Sequence, residues 1–229
     1  AMVSVAKITL GGQKMPYFWA SMIQCEQLKF QYPGGPSFNF PSFKCEDNSS
    51  LLLLGESGTG KTTLLHLLAG LLKPTSGKII LGETAISTLN NKELDHFRGQ
   101  HIGIVFQTSH FVSSLNVEDN LVLPHFLSGV PVNREKARMI MKRLNLSHKM
   151  YESTKNLSIG EQQRVAIARA LVNDPDMILA DEPTSALDDK NANEVMDLLE
   201  EQARISKASL IIVTHDQRLK DRFTQTVEL

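Results

Sequence analysis

Apolar and polar residues alternate along the chain in patterns that predict both strands and helices. Leu28, Phe30 and Tyr32 alternate with polar residues, which predicts an early strand that the turn residues 33–35 end. Short, mostly apolar runs predict further strands at residues 51–54, 78–81, 102–106, 177–181 and 210–214.

Helical periods occur between and beside these strands. Apolar residues recur every three to four positions at 118–126 and 133–144, and helices are also predicted at 62–72 and 161–172. The first two helices fall between the predicted strands 102–106 and 177–181. We therefore predict an α/β fold in which a helical lobe is inserted into a core of strands and helices.

Length and composition are those of one globular domain. The chain has 229 residues, of which 41% are hydrophobic, enough for one large domain or one domain with an inserted lobe. The net charge is −1, and lysine and arginine are spread along the chain, so no basic stripe for nucleic acid is expected. Cys25 and Cys45 lack metal-binding spacing, and we interpret them as reduced thiols of a cytosolic protein.

No stretch of the sequence has the pattern of a membrane or targeting segment. A membrane helix needs roughly 18 apolar residues, and the best run, at 64–72, is short and interrupted by His66. Ala1 and Met2 are interpreted as an expression remnant around the initiator methionine, and residues up to Ser21 lack the basic start and long apolar block of a signal peptide. We therefore expect no membrane span and no signal peptide.

A glycine-rich loop follows the predicted strand 51–54 and leads into the predicted helix 62–72. Its residues fit the phosphate-loop pattern GxxxxGK[ST]: Gly55, Glu56, Ser57, Gly58, Thr59, Gly60, Lys61 and Thr62. The glycines let backbone N–H groups turn towards a polyanion, and the following helix directs its positive end to the same point. We assign the loop, with Thr63, to nucleotide binding, with Lys61 on the β and γ phosphates and the Thr62 hydroxyl on Mg²⁺. A glycine-rich turn without a ligand is the alternative.

Two acidic residues follow the apolar run at 177–180. In a phosphate-loop protein, an aspartate at such a strand end holds Mg²⁺, and the adjacent carboxylate can polarise the attacking water. We therefore assign Asp181 to the metal and Glu182 to general-base catalysis. Without the phosphate loop, the same acids could simply end a strand.

A third motif, at residues 157–164, reads Leu-Ser-Ile-Gly-Glu-Gln-Gln-Arg. Ser158 is predicted to cap a helix with Glu161 at its third position, so that the two form a capping box at the start of the predicted helix 161–172. A free hydroxyl and exposed N–H groups at the positive end of a helix make an anion site. A well-capped helix without a ligand is the alternative.

This third motif, about 20 residues before Asp181, resembles the LSGGQ signature of ATP-binding cassette (ABC) ATPases. The resemblance covers about residues 23–229. It implies that Gln107 senses Mg²⁺ and water, and that His215 is the switch histidine that bonds the γ-phosphate. A polar residue that only ends a strand is the alternative for Gln107.

Two further positions resemble parts of the ABC ATPase site. Residues 185–188, Ser-Ala-Leu-Asp, look like the D-loop that contacts the opposite subunit, with Asp188 as its acid. Tyr32 matches the aromatic residue that stacks on adenine in the family. A core aromatic residue beside Phe30 is the alternative for Tyr32.

The resemblance also implies fold, cofactors and subunit arrangement. The expected fold is a P-loop NTPase (RecA-like) core with an antiparallel β subdomain and an inserted helical subdomain. We expect one ABC ATPase domain at 23–229, with its core at about 23–107 and 160–229 and the helical subdomain at about 108–159. The family stacks two copies head to tail around ATP and Mg²⁺, which implies a homodimer. The residues that then serve the other chain's nucleotide are Ser158, Gly160 and Asp188.

Two features depart from the family pattern. Ile159 replaces the first signature glycine, and its β-branched side chain restricts the loop, which bears on the strength of the nucleotide contact. Residues 1–22 form an N-terminal extension, in which Tyr17, Phe18 and Trp19 are interpreted as an arm packed on the core.

The resemblance favours a transporter subunit. Residues 104–107, 117–124 and 179–184 look like the branch that includes lipoprotein-release, macrolide-export and cell-division ATPases. We expect an ATPase that drives a separate membrane permease from the cytoplasmic face of the inner membrane. Five apolar residues could line a groove for a permease helix, or pack in the core: Phe111, Val112, Leu115, Leu121 and Phe126.

Two other classes of protein remain as alternatives. A soluble ABC ATPase of nucleic-acid maintenance or translation would need coiled-coil insertions or tandem cassettes, which the sequence lacks. A nucleotide or metabolite kinase shares the phosphate loop but should lack the signature and the D-loop.

Overall fold

The computed structural model describes residues 23–185 and 187–229. Within these ranges the strands are β1 (Ile23–Gln31), β2 (Ser37–Asn39), β3 (Phe43–Cys45), β4 (Ser50–Leu54), β5 (Ser76–Leu81), β6 (Thr84–Ala85), β7 (Ile102–Val105), β8 (Met177–Asp181), β9 (Ser209–Thr214) and β10 (Thr226–Glu228). The helices are α1 (Lys61–Leu68), α2 (Asn91–His101), α3 (Val117–Ser128), α4 (Arg134–Arg143), α5 (Ile159–Leu171) and α6 (Asp189–Ser206). The extension 1–22, with Tyr17, Phe18 and Trp19, and Ala186 of the D-loop lie outside the described residues.

Five strands form a parallel sheet in the order β10-β4-β9-β8-β7. Successive residues of β4 point to opposite faces, so Leu51 and Leu53 join one hydrophobic core while Leu52 and Leu54 join the other. All four leucines are buried. This burial on both faces explains why the strand is continuously apolar.

The other five strands form an antiparallel sheet around β1 and β5. A bulge interrupts the pairing of these two strands between Glu26 and Lys29, where Gln27 has a φ of 46°. Gly77 of β5 comes so close that a Cβ atom there would lie 2.5 Å from the Gln27 carbonyl oxygen. Glycine is therefore required at position 77, where β5 passes the bulge in β1.

The first strand ends one residue earlier than its sequence pattern predicts. β1 stops at Gln31, and Tyr32 opens the following turn. The Tyr32 carbonyl accepts a hydrogen bond from the Gly35 N–H at 3.0 Å, and the Tyr32 N–H donates to the Pro36 carbonyl at 3.2 Å. Tyr32 nevertheless packs against the same hydrophobic core as Phe30.

Both helices predicted in the inserted segment are present, as α3 and α4. They are joined by Glu118, which is buried and accepts hydrogen bonds from Arg134 Nη1 at 2.6 Å and Arg138 Nε at 2.9 Å. Leu121 is fully buried and cannot line a groove, which corrects the prediction for that residue. Phe126, in contrast, exposes 64% of its surface.

Six elements are absent from the sequence prediction: α2, α6, β2, β3, β6 and β10. α2 buries Leu94 alone and therefore carries no apolar stripe. The four strands are two or three residues long, too short to show a period. β2 and β6 pair across short turns with the strands that precede them, and β3 and β10 pair with segments farther away in sequence. Of the helices that the structure describes, none has the length and hydropathy needed to cross a membrane.

Candidate functional site

The phosphate loop joins β4 to α1 and closes on its own backbone. The Glu56 carbonyl accepts hydrogen bonds from Lys61 Nζ at 2.9 Å and from the Thr59 hydroxyl at 3.0 Å. A Cβ atom at Gly55 would lie 2.6 Å from the Thr59 hydroxyl oxygen, so the loop depends on glycine there. Ser57 and Gly58 form its exposed tip. The loop is thus preformed around the start of α1, as the motif predicts.

Gly60 caps the N-terminus of α1 with a φ of 94°, a conformation that glycine adopts without strain. A Cβ atom here would lie 2.5 Å from the ring of Phe38. Phe38 therefore packs directly over the loop, although the sequence analysis did not single it out. The signal was available, since Phe38 follows Tyr32 by six residues in an aromatic-rich segment.

Asp181 ends β8 beside the first turn of α1. The Thr62 hydroxyl donates to its Oδ2 at 3.0 Å, while Oδ1 is buried with no hydrogen-bond partner among the described residues. Burial raises the pKa of Asp181, and the Thr62 hydrogen bond offsets this only in part.

An unpartnered carboxylate oxygen beside a threonine hydroxyl suits Mg²⁺, which takes oxygen ligands and usually one or two carboxylates together with substrate phosphates. The described residues contain no cluster of three or more His, Cys, Asp and Glu that could hold a metal by themselves. The site therefore fits an ion that is bound jointly with a phosphate.

Glu182 follows β8 in the left-handed backbone region, with a φ of 48°. Its carboxylate accepts a hydrogen bond from the Thr214 hydroxyl at 2.9 Å and lies 2.9 Å from His215 Nδ1 and 3.4 Å from Lys61 Nζ. Burial favours the neutral acid, but the hydrogen bonds from His215 and Thr214 outweigh burial and lower the pKa of Glu182. Thr214, another residue that sequence analysis did not single out, is fully buried.

Gln107 lies two residues beyond β7 and is exposed. Its Nε2 donates to the Ser185 hydroxyl at 3.3 Å, which joins it to the D-loop. A cleft of about 190 Å³ is lined by Gln107 together with Ile159, Gln163, Glu182 and Ser185, among others. Gln107 thus lies on the same cleft as Glu182.

The signature motif opens α5 with the predicted capping box. The Ser158 hydroxyl accepts from the Glu161 N–H at 3.3 Å, and Glu161 Oε2 accepts from the Ser158 N–H at 2.8 Å, which lowers the pKa of Glu161. The helix begins at Ile159, two residues before the predicted start. Ile159 exposes 79% of its surface, and a Cβ atom at Gly160 would meet nothing within 4 Å. This helix end is therefore open to an incoming group.

Two candidate nucleotide contacts lie at the edges of the site. The Tyr32 hydroxyl is 3.2 Å from the Thr63 hydroxyl, and the Tyr32 ring meets Phe30 edge-on, with 4.7 Å between ring centroids. Tyr32 is half-buried, so part of its surface is available. Asp188 caps α6, accepting from the Asn191 N–H at 2.9 Å, and is exposed.

Eight of the predicted site residues fall into two groups. Hydrogen bonds and an ion pair join one group, at the carboxyl ends of β4, β8 and β9: Lys61, Thr62, Asp181, Glu182 and His215. The other group lies at exposed helix starts: Ser158 and Gly160 at α5, and Asp188 at α6. Only the first group forms one continuous site within the chain.

Comparison with known proteins gives consistent matches. A family model described as ABC transporter matches residues 38–185. The lipoprotein-releasing system ATP-binding protein LolD of Xanthomonas campestris pv. campestris (strain 8004) is 38% identical over 216 residues, which cover 92% of this chain and 90% of that protein. LolD of Legionella pneumophila (strain Paris) is 42% identical over 181 residues, 78% of this chain and 80% of that protein.

Solved structures agree. The ATP-binding cassette MJ0796, in a dimeric post-hydrolysis state bound to ADP and Pi, has a TM-score of 0.80 and 30% identity, covering 91% of this chain and 94% of that one. CbiO1 from Clostridium perfringens, part of the ABC transporter complex cbiONQ, has a TM-score of 0.76 and 30% identity, covering 86% and 79%.

These matches support the transporter class and not the nucleic-acid or translation class. The fold is that of a P-loop NTPase, in which a parallel sheet carries the phosphate loop and an antiparallel sheet lies beside it. The chain belongs to the ABC transporter family, as its ATP-binding and ATP-hydrolysing subunit.

Proposed function

We propose that this subunit hydrolyses ATP with the residues joined at the carboxyl ends of β4, β8 and β9, and that it powers a lipoprotein-releasing transporter. The observation that carries the first part is a pair of contacts. Lys61 lies 3.4 Å from Glu182, and the Thr62 hydroxyl donates to Asp181 at 3.0 Å. The proposed phosphate-binding residues Lys61 and Thr62 therefore contact the proposed base Glu182 and the proposed metal ligand Asp181.

Lys61 changes partners in this proposal. Its Nζ now bonds the Glu56 carbonyl and pairs with Glu182 Oε1, and both acceptors can be replaced by a phosphate oxygen. When the β and γ phosphates take over Lys61, Glu182 Oε1 loses its ion pair and keeps the contact with His215 Nδ1. Nucleotide binding would thereby remove one of the groups that hold the base.

Glu182 then acts as the general base. Its lowered pKa keeps the carboxylate ionised at neutral pH, so that it can accept a proton from the attacking water. The His215 ring, held 2.9 Å from Glu182 and more than half exposed, is placed to turn towards the γ-phosphate. Asp181, Thr62 and, as the family resemblance implies, Gln107 would hold Mg²⁺, which would supply charge neutralisation on the phosphates.

The residues at the exposed helix starts concern a further part of the proposal, the assembly of two copies. Ser158, Gly160 and Asp188 lie at exposed helix starts, and no hydrogen bond or ion pair among the described residues joins their side chains to Lys61. We infer that they serve the nucleotide of a second copy, stacked head to tail. The dimeric MJ0796 cassette, 30% identical, supports this arrangement.

The names of the relatives support a proposal for the partner and the location. The LolD proteins are named as ATP-binding parts of a lipoprotein-releasing system. We propose that this chain likewise drives a membrane permease from the cytoplasmic face of the inner membrane, as a peripheral subunit. Residues 23–229 would act as one ABC domain, with about 108–159 as the helical subdomain that meets the permease.

Replacing Lys61 tests the nucleotide site. Lys61→Ala should abolish measurable ATP binding in calorimetry, because it removes the charge opposite the β and γ phosphates. Lys73→Ala is the matched control, since Lys73 is exposed and, among the residues that the structure describes, its Nζ bonds only the Leu89 carbonyl. Unchanged ATP affinity in a folded Lys61→Ala chain would remove Lys61 from the site.

Isolation from membranes tests the transporter role separately. A tagged Glu182→Gln chain, cross-linked in cells in its ATP-bound state, should co-purify with an integral membrane protein. Removing that membrane protein from the cells should alter lipoprotein traffic. Recovery of only soluble proteins or nucleic acid would contradict the transporter role while leaving the ATPase site intact.

A further inference from the structure

A line of hydrogen bonds runs from Glu182 away from the phosphate loop. The Thr214 hydroxyl donates to Glu182 Oε2 at 2.9 Å and accepts from the Asp216 backbone N–H at 3.0 Å. Thr214 is fully buried, so water does not compete for its hydroxyl. The position of Asp216 therefore decides where the Thr214 hydroxyl points, and with it one of the contacts that orient Glu182.

Arg218 holds Asp216 with a two-pronged contact. Its Nε donates to Asp216 Oδ1 at 2.8 Å and its Nη2 donates to Oδ2 at 2.6 Å. The Thr184 hydroxyl donates to the same Oδ2 at 3.1 Å. A planar guanidinium that binds both oxygens of a carboxylate fixes distance and angle together, which a single charge does not.

The remaining arm of Arg218 reaches another element. Its Nη1 bonds Asp189, the first residue of α6, whose N-cap is Asp188 of the D-loop. One side chain thus ties the loop after β9 to the segment proposed to face a second copy. Arg218 also lies on the wall of a cleft of about 280 Å³ that Glu182 and His215 share.

We propose that Arg218 is a positioning residue for ATP hydrolysis, which holds Asp216 so that Thr214 orients Glu182 and which ties that orientation to the D-loop through Asp189. The inference rests on the proposed function, because it assigns Arg218 to the same hydrolytic centre. Movement of the D-loop on assembly of two copies would reach Glu182 through this contact.

Arg222 provides a matched control within the same 3₁₀ helix, Gln217–Arg222. It also binds α6, through Asn193, Asp197 and Glu200. None of these three residues belongs to the line from Glu182 to Arg218. Replacing Arg222 therefore removes a comparable tie to α6 and leaves the hydrolytic centre untouched.

The experiment compares Arg218→Gln, Arg218→Lys and Arg222→Gln in steady-state hydrolysis and ATP binding. We expect Arg218→Gln to lower kcat about tenfold, the size of one lost hydrogen bond to a charged group, with KM and ATP affinity within about twofold of wild type. Arg218→Lys should restore part of the activity, since lysine keeps the charge but not the fork. Arg222→Gln should hydrolyse ATP like wild type.

The split between hydrolysis and binding separates positioning from simple loss of stability. A destabilised chain would lose ATP-binding capacity together with hydrolysis, whereas a misplaced Glu182 lowers kcat alone, and only in Arg218→Gln. A kcat for Arg218→Gln within twofold of Arg222→Gln, or equal losses in both, would overturn the inference.

A second variant covers misfolding of Arg218→Gln. Asp189→Asn removes only the charge at α6 and leaves the contact with Asp216, so it should lower kcat severalfold without changing ATP affinity; full activity there would refute the link to the D-loop. A wild-type chain that neither binds nor hydrolyses ATP would instead overturn the proposed function, and this inference with it.

Discussion

Asp181 and Glu182 are neighbours in sequence with opposite electrostatic surroundings. Burial raises the pKa of Asp181, whereas hydrogen bonds from His215 and Thr214 overcome burial and lower the pKa of Glu182. Carboxylates whose pKa values are driven apart commonly take different roles. An acid that gains from a cation suits metal binding, and one that stays ionised suits proton acceptance.

Replacement of the proposed base should separate binding from chemistry. Glu182→Gln keeps the shape of the side chain but has no group that accepts the proton, so hydrolysis should fall by roughly 10² or more. ATP affinity, measured by calorimetry, should stay close to wild type. If the variant hydrolyses ATP within about threefold of wild type, another residue is the base.

The Mg²⁺ concentration that ATP binding requires should rise steeply at low pH. Because the pKa of Asp181 is raised in the folded state, the native chain binds a proton there more readily than the unfolded chain. Above its pKa, the ionised Asp181 side chain therefore lowers the free energy of unfolding. Bound Mg²⁺ reverses this effect because it favours the ionised form.

The measurement is the Mg²⁺ concentration that half-saturates ATP binding, at pH 8 and at pH 5.5. It should rise on acidification more steeply in wild type than in Asp181→Asn, which has no proton to exchange and reports the titration of ATP itself. Parallel curves for the two proteins would show that Asp181 does not hold the metal.

At the scale of elements, the turn from β4 into α1 depends on the backbone more than on side chains. Gly58 and Gly60 both have positive φ, but only Gly60 also lies against another group, the ring of Phe38. A side chain at Gly58 would meet open space. The two glycines therefore separate conformational strain from steric exclusion.

Alanine at each position measures the two effects in urea unfolding without nucleotide. Gly58→Ala should lose about 1–2 kcal/mol of unfolding free energy through left-handed strain alone. Gly60→Ala should lose more, because its Cβ must also displace Phe38. Equal losses would mean that the ring moves freely and does not constrain the loop.

A helix or strand can be predicted from sequence when the residues that stabilise it lie close together in the chain and are numerous enough to form a pattern. β8 and the capping box of Ser158 and Glu161 match the prediction because buried apolar runs and capping residues act within a few positions. β10 pairs only with β4, which lies far away in sequence, and β2 pairs with β1 across a short turn but has only three residues, too few to show a period.

At the scale of the whole molecule, the site residues come together because parallel strands present their carboxyl ends at the same edge of the sheet. The motifs and the family resemblance are enough to predict that Lys61, Asp181 and His215 belong to one site. They do not predict Thr214 and Arg218, whose importance depends on which way their side chains point. Such contacts become visible only when the strand order and loop conformations are known.

Vanadate cleavage tests the proposed assembly. A tagged Lys61→Ala chain, which should hold no ATP, is mixed with an untagged chain that binds normally, trapped with vanadate and exposed to ultraviolet light. Because bound vanadate cleaves the backbone it touches, the tagged chain should break near Ser158. Signature cleavage confined to the untagged chain would show that Ser158 acts on its own nucleotide, and the head-to-tail arrangement would have to be abandoned.

The alternation of β4 between two hydrophobic cores has a consequence for how the protein melts. Leu51 and Leu53 cannot leave one core without pulling Leu52 and Leu54 from the other, since all four share one backbone. β8 is divided in the same way, with Leu179 in one core and Ile178 in the other. The two cores should therefore unfold cooperatively, in a single transition, and damage to either one should weaken the phosphate loop that β4 supports.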